Sequence, residues 1–395
     1  MFKVCKEIPR AYPNPKEVLL NNRLDEEIQR ILFPFNFFLT LFSCPKYSIR
    51  DNYITPNGNK TLIFQLFGIC FVTAITIDLL GLTNLATFLP SGNAFIIKLI
   101  SIFLNLTRWF NFISNAILNI KNSLDNVCLI IMIQSIYKSV KVTGVFSFTV
   151  VNWIIVTIPI FIMVSASMSV AIIFSVIPNF FHNACTYILI SYEIDFLYNT
   201  RILHLLCKYI DHWIKKIDLM TNDREDDEAY CLKLFETYQN ILKAYEMYKK
   251  LYEVVILIRI MIAFCRNLCF FGYALQVIKQ EQHDGKLSLP TLIMGALSML
   301  GIVKDFVEVG FYCIICEKFY IALEEAEGAC IRRIMNVNYT RAQEHLYLNV
   351  ISENRKLNKV TACGLFCVDA TLPLFFLKYF TDYAIVLLQF AYLWN

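Results

Sequence analysis

The sequence predicts an all-α membrane protein with seven transmembrane helices, a cytoplasmic N-terminus, an extracellular C-terminus and cytoplasmic helical extensions. Three observations predict it. Hydrophobic residues make up 57% of the 395 and charged residues only 17%, against roughly 25% charged in a soluble domain. Apolar runs of about twenty residues recur from residue 61 to residue 390 with no Pro/Gly/Ser-rich linker between them, the pattern of one membrane domain. Finally, Lys and Arg are distributed very unevenly among the segments between those runs.

In lipid every backbone polar group has to be paired within its own segment, so an apolar run that crosses is a helix. Seven runs qualify: 61–88, 94–118, 146–165, 177–198, 251–277, 289–316 and 361–392. Residues 31–44 form a shorter apolar stretch that holds Pro34 and stops at Pro45; it reads as an interfacial or re-entrant helix. Residues 166–176 either extend the third span or form its outer loop.

The segment 1–60 and the loops 119–144, 199–250 and 317–360 together hold twenty-eight Lys and Arg, and the opposite loops hold only Lys279 and Lys286. Basic loops are retained in the cytoplasm, which places the N-terminus inside and, after seven spans, the short tail 393–395 outside. Residues 1–22 lack the apolar core of a secretory signal. The organisation is therefore an N-terminal segment (1–60), four spans (61–198), a helical cytoplasmic loop (199–250), two spans (251–316), cytoplasmic anchor helices (317–360) and a last span (361–392).

Two cytoplasmic stretches carry helical periodicity. Ile202, Leu205, Leu206, Tyr209, Ile210 and Trp213 share one face of a helix continuous with the fourth span. A second amphipathic helix covers 230–252, beyond the acidic turn 222–228. Such stripes need a cover, either residues 317–336 of the same chain or a neighbouring copy.

Several function classes are excluded. The sequence has no nucleophile elbow, phosphate loop or zinc-type His pair, so no enzyme, cofactor or metal site is expected. Cys313/Cys316 and Cys363/Cys367 have helical spacing but no accompanying His, and read as small hydrophobes in membrane helices. A net charge of +4 with interleaved signs does not point to nucleic acid.

Ionisable residues inside spans are costly and therefore candidates for function: Asp78, Arg108, Glu193, Asp195, Arg259, Arg266, Lys304, Asp305, Glu308, Asp369, Lys378 and Asp382. Two pairs at i,i+4 spacing, Lys304–Glu308 and Lys378–Asp382, have mutual neutralisation as the competing role. Aromatics gather near the expected outer halves of the spans, at Phe95, Phe103, Trp153, Phe161, Phe180, Phe181, Tyr187, Phe270, Phe271 and Tyr273. They suit either an apolar small-ligand pocket or an interfacial belt.

The last span is the most specific stretch. Gly364, Phe366 and Asp369 are followed by Asp382, Tyr383, five apolar residues, Gln389 and Phe390. This resembles the closing signature of the insect gustatory receptors, with Asp382 standing where that family usually has Thr before the Tyr. In style the chain is similar to moth or butterfly members of the divergent group linked to bitter compounds.

The resemblance implies a tastant-gated, non-selective cation channel in the plasma membrane of a sensory neuron. It implies a homotetramer, or a heteromer with related receptors, whose last spans line a central pore, and a small-molecule tastant, a bitter plant compound rather than a sugar. Asp382, Tyr383, Val386, Gln389 and Phe390 would line or gate that pore. The competing readings are a seven-helix G-protein-coupled receptor, which requires an outside N-terminus, and a secondary transporter, which requires paired broken helices.

Overall fold

The computed structural model describes residues 22–81, 94–141, 144–173, 180–220, 227–284, 289–335 and 339–393. Among them the regular elements are helices apart from one small hairpin. Helix α1 (Glu26–Leu41) precedes strands β1 (Ser48–Arg50) and β2 (Tyr53–Thr55). Then come α2 (Asn59–Gly81), α3 (Ala94–Lys121), α4 (Ser123–Val140) and α5 (Val145–Ile173). The chain continues through α6 (Phe180–Asp218), α7 (Asp227–Asp284), α8 (Leu289–Met335), α9 (Arg341–Asn354) and α10 (Leu372–Leu393).

The residues 31–44 do form a short helix, α1, with Pro34 inside it. It buries Ile28, Ile31, Leu32, Phe35 and Leu39 and packs on α5 and α6. The hairpin behind it turns at Asp51 and Asn52, both at positive φ, the backbone a two-residue hairpin requires. Leu24 N donates to Asn52 O and Ile54 N to Asn22 O, which ties the hairpin to the start of α1.

Among the described residues, α2 (59–77), α5 (145–165), α7 (228–276) and α10 (372–390) contain stretches long and apolar enough to cross a membrane, and a fifth comes from α3 and α4 taken as one span bent by 68°. The expected spans 177–198 and 289–316 lie on helices α6 and α8, which carry Glu193, Asp195, Lys304, Asp305 and Glu308 at these levels. In the apolar windows of α2, α5 and α10 only 22%, 17% and 11% of residues are buried. An apolar helix that turns most of its surface outward needs lipid or another copy of the chain to cover it.

Two expectations change and one open alternative is settled. Residues 119–144 are not an open loop: α4 is a buried helix, with Val127, Leu129, Ile130, Ile133 and Ile136 fully enclosed. The ambiguous residues after 165 continue α5 to Ile173. The last helix begins at Leu372 rather than at residue 361, because Thr361 and Cys367 form an antiparallel bridge that folds the intervening residues into a turn. Cys363 and Cys367 are consequently exposed there, not packed in a membrane helix.

The largest core lies where the helices run past the apolar stretches. At about 1.5 Å per residue, the 58 residues of α7 extend roughly 87 Å, far beyond the ~30 Å hydrocarbon layer. Its first half packs against α6 and α8, so the stripe of Ile202, Leu205, Leu206, Tyr209, Ile210 and Trp213 is covered by this same chain. Trp213 Nε1 donates to Leu234 O at 2.9 Å and its ring lies 4.5 Å from that of Tyr238. Tyr245 stacks on Phe319 at 4.3 Å, and Thr340 with Gln343 forms a capping box that starts α9 against this core.

Candidate functional site

Helix α10 has two faces. Leu372, Phe376 and Ala384 are buried and Phe380 partly so, an i,i+4 row that docks on the bundle. Phe376 meets Phe264 and Phe306 edge-on at 5.6 and 5.0 Å, and Phe380 meets Phe271 and Phe306 at 5.9 and 5.6 Å. Half a turn away, Lys378, Asp382, Val386 and Gln389 are exposed. A helical repeat of 3.6 residues puts Asp382 and Gln389 at the middle of this outward face.

Tyr383 and Phe390 are also exposed, at 54% and 60%, but they lie toward the edge of that face, where the Tyr383 ring contacts Phe264 at 5.8 Å. Lys378 and Asp382 are both exposed and do not form an ion pair; the i,i+4 alternative is not adopted within one chain. Beside this edge runs an open groove of about 680 Å³ between α7, the turn at 366–371 and α10, lined by Met261, Phe264, Phe366, Phe375, Tyr379 and Tyr383.

The aromatic candidates do not share one place. Trp153 packs on Phe33 and Phe38 of α1 at 6.0 and 6.2 Å, and Phe103 and Phe161 are exposed at 38% and 73%. Phe271 supports α10, Phe270 lies against Gly301, where an added Cβ would come within 2.7 Å of its ring, and Tyr273 is half-buried on α7. The side chains of Phe95, Phe180, Phe181 and Tyr187, like that of Asp78, lie outside the described residues.

The structure brings together six of the ionisable candidates. Glu193 of α6, Arg259 and Arg266 of α7, and Lys304, Asp305 and Glu308 of α8 form one buried network. Arg259 Nη2 donates to Glu193 Oε2 at 2.6 Å and also to Glu308. Arg266 holds Asp305 with two bonds, Nε to Oδ2 at 2.8 Å and Nη2 to Oδ1. Lys304 Nζ reaches Glu193 at 3.0 Å, Glu308 at 3.2 Å and Asp305 at 3.4 Å. The Lys304–Glu308 pair expected from its spacing is thus one edge of a larger assembly.

Three acids and three bases cancel, which is how charges are carried through a low-dielectric interior. The Arg259 guanidinium also lies over the rings of Tyr192 and Phe196, each 5.2 Å away, contacts that stabilise a desolvated cation. Two residues along α6, Asp195 takes Lys46 at 2.5 Å, both side chains being at most 2% exposed. Lys46 belongs to the segment between α1 and β1, and its ammonium lies over Tyr198 and Tyr252 at 5.2 and 4.8 Å. Nothing in the sequence marks Lys46 as a partner for a buried charge, because it sits outside every apolar run.

No protein-family model matches the sequence, and no curated protein is similar to it. The fold does match solved structures. It is similar to that of the olfactory receptor OR5 from the insect Machilis hrabei in complex with eugenol, with a TM-score of 0.60, 10% identity, and coverage of 92% of this chain and 100% of that one. A second structure of the same receptor matches with a TM-score of 0.62 at 8% identity, again over 92% and 100% of the two chains. Nearly end to end, this chain therefore adopts the all-helical membrane fold of an insect olfactory receptor.

Proposed function

We propose that this chain is an insect chemoreceptor of the gustatory kind, a tastant-gated non-selective cation channel and not an enzyme. The observation that carries the reading is the outward face of α10, where Lys378, Asp382, Val386 and Gln389 project away from the chain's own bundle. Four copies that turn this face inward would surround an aqueous path, ringed by carboxylates at Asp382 and narrowed by Val386, Gln389 and Phe390. The open groove beside Tyr379 and Tyr383 leaves room for a neighbouring copy. The small-molecule complex of the similarly folded receptor supports a ligand as the trigger, and the charge asymmetry supports an inside N-terminus. A bitter plant compound is the favoured ligand class, bound in a transmembrane pocket.

Agonist opens such a pore only by binding the open packing more tightly than the closed one. The test is expression of the full chain in a heterologous cell, with a tastant panel read by calcium imaging and patch clamp. Ligand-dependent unitary currents are expected, and Gln389→Ala or Phe390→Ala should alter basal current or agonist response while surface expression persists. Unchanged currents in both variants, or labelling of an N-terminal epitope on intact cells, would overturn the assignment.

A further inference from the structure

Where α6 leaves its apolar stretch, a second charged group meets no counter-charge among the described residues. Arg201 is only 5% exposed, yet its bonds go to neutral partners: Nε to Asn152 Oδ1 at 2.7 Å and Nη1 to His204 Nδ1 at 2.7 Å. A guanidinium has only donors, so His204 Nδ1 accepts and the ring is neutral. Burial, together with Arg201, Lys208 and Lys318, pushes that imidazole down to about 4. Arg201 and Lys208 both lie over the Phe148 ring, at 3.9 and 4.9 Å, and Lys318 of α8 is exposed and near enough to His204 to act on its charge.

Among the described residues no carboxylate lies within ion-pair distance of Arg201, Lys208 or Lys318. Asp211, one turn past Lys208, influences it only from beyond that range. Three like charges held on one patch, one of them desolvated, are stable when an anion joins them. The position specifies the anion. Phe148 lies in the first turn of α5, whose apolar stretch begins at residue 145, and Phe146 beside it is 83% exposed. The cations thus sit at the level where hydrocarbon gives way to headgroups.

We infer that Arg201, Lys208 and Lys318 form a binding site for the phosphate of an anionic phospholipid in the leaflet that meets the start of α5. Arg201, whose Nε and Nη1 are held by Asn152 and His204, keeps Nη2 for the phosphate, Lys208 and Lys318 add point charges, and Phe146 and neighbouring Val150 face the acyl chains. The inference requires that the chain sits in a membrane, but not that it conducts ions.

The test is native mass spectrometry of the purified full chain in detergent with dioleoylphosphatidic acid, dioleoylphosphatidylcholine or inorganic phosphate. Phosphatidic acid should bind in preference to phosphatidylcholine. Lys208→Gln with Lys318→Gln should weaken that binding by about tenfold or more, and Lys208→Arg with Lys318→Arg should preserve it. Lys318→Glu alone, at an exposed position, provides a variant that folds even if the double change does not, and it too should bind less. Equal binding by wild type and the Gln or Glu variants would overturn the site. Displacement of phosphatidic acid by millimolar inorganic phosphate would show that the ligand is a free anion and would overturn the lipid assignment.

Discussion

Replacing Asp305 with Asn removes one carboxylate from a cluster in which three acids and three bases balance. Asp305 is fully buried, and Arg266, 11% exposed at its side chain, holds it through two bonds. Removing one partner of a buried pair costs about 3–5 kcal/mol, chiefly because the remaining charge stays desolvated and unpaired. At roughly 1–2 °C per kcal/mol for a chain of this size, the apparent Tm should fall by about 3–10 °C. The informative control is Arg266→Met with Asp305→Leu. That pair of changes leaves Glu193, Arg259, Lys304 and Glu308 in balance, so it should cost less than either single change. Thermal unfolding in detergent, followed by fluorescence-detected size exclusion, measures all three. A double variant that loses the sum of the singles, or an Asp305→Asn protein that melts with the wild type, would refute the idea that charge balance governs this site.

Further expected outcomes follow from other contacts. Lys46→Met strands Asp195, which is 0% exposed, and should also cost about 3–5 kcal/mol; Lys46→Arg should recover part of the lost Tm. Gly301→Leu drives a side chain into the Phe270 ring and should destabilise the α7–α8 pairing by about 1–3 kcal/mol, read as a lower melting temperature. His204 has a folded pKa of about 4 against 6.5 for the free side chain. The unfolded chain therefore binds the proton first, and this contribution to stability is lost as pH falls from about 6.5 toward 4. In lipid-free detergent, His204→Gln should flatten the melting curve's pH dependence across that window; an unaltered slope would count against a neutral, Arg-bonded imidazole. Asp382→Asn should lower cation conductance in patch-clamp recordings, and full wild-type conductance would exclude a pore-facing carboxylate.

Much of this architecture is legible along the chain, because lipid acts on each helix separately. An apolar run must satisfy its own backbone, so its place follows from composition, as in α2, α5 and α10. The short helix with Pro34, the amphipathic extension of α6 and the Lys304–Glu308 pair follow from local spacing in the same way. What could not be read was whatever depends on two segments meeting. The 119–144 segment reads as a loop because it carries Lys121, Lys138 and Lys141, and the elements that cover its buried face, Val127 to Ile136, are distant in sequence. Residues 361–371 looked like helix because their hydropathy hides a turn closed by the Thr361–Cys367 bridge.

The same division holds for the site. The sequence by itself determined that the chain is helical, that it is built for a membrane, and which residues carry charge at apolar depth. Only the tertiary structure decided that six of those charges neutralise one another, that Lys46 reaches in from outside the spans to Asp195, and that Arg201 meets no carboxylate among the described residues. The reason is geometric: Glu193, Arg259 and Lys304 are separated by 66 and 111 positions as bonded pairs. Whether such residues meet is set by how each helix is rotated about its axis when packed, a quantity that hydropathy along one strand of sequence does not encode.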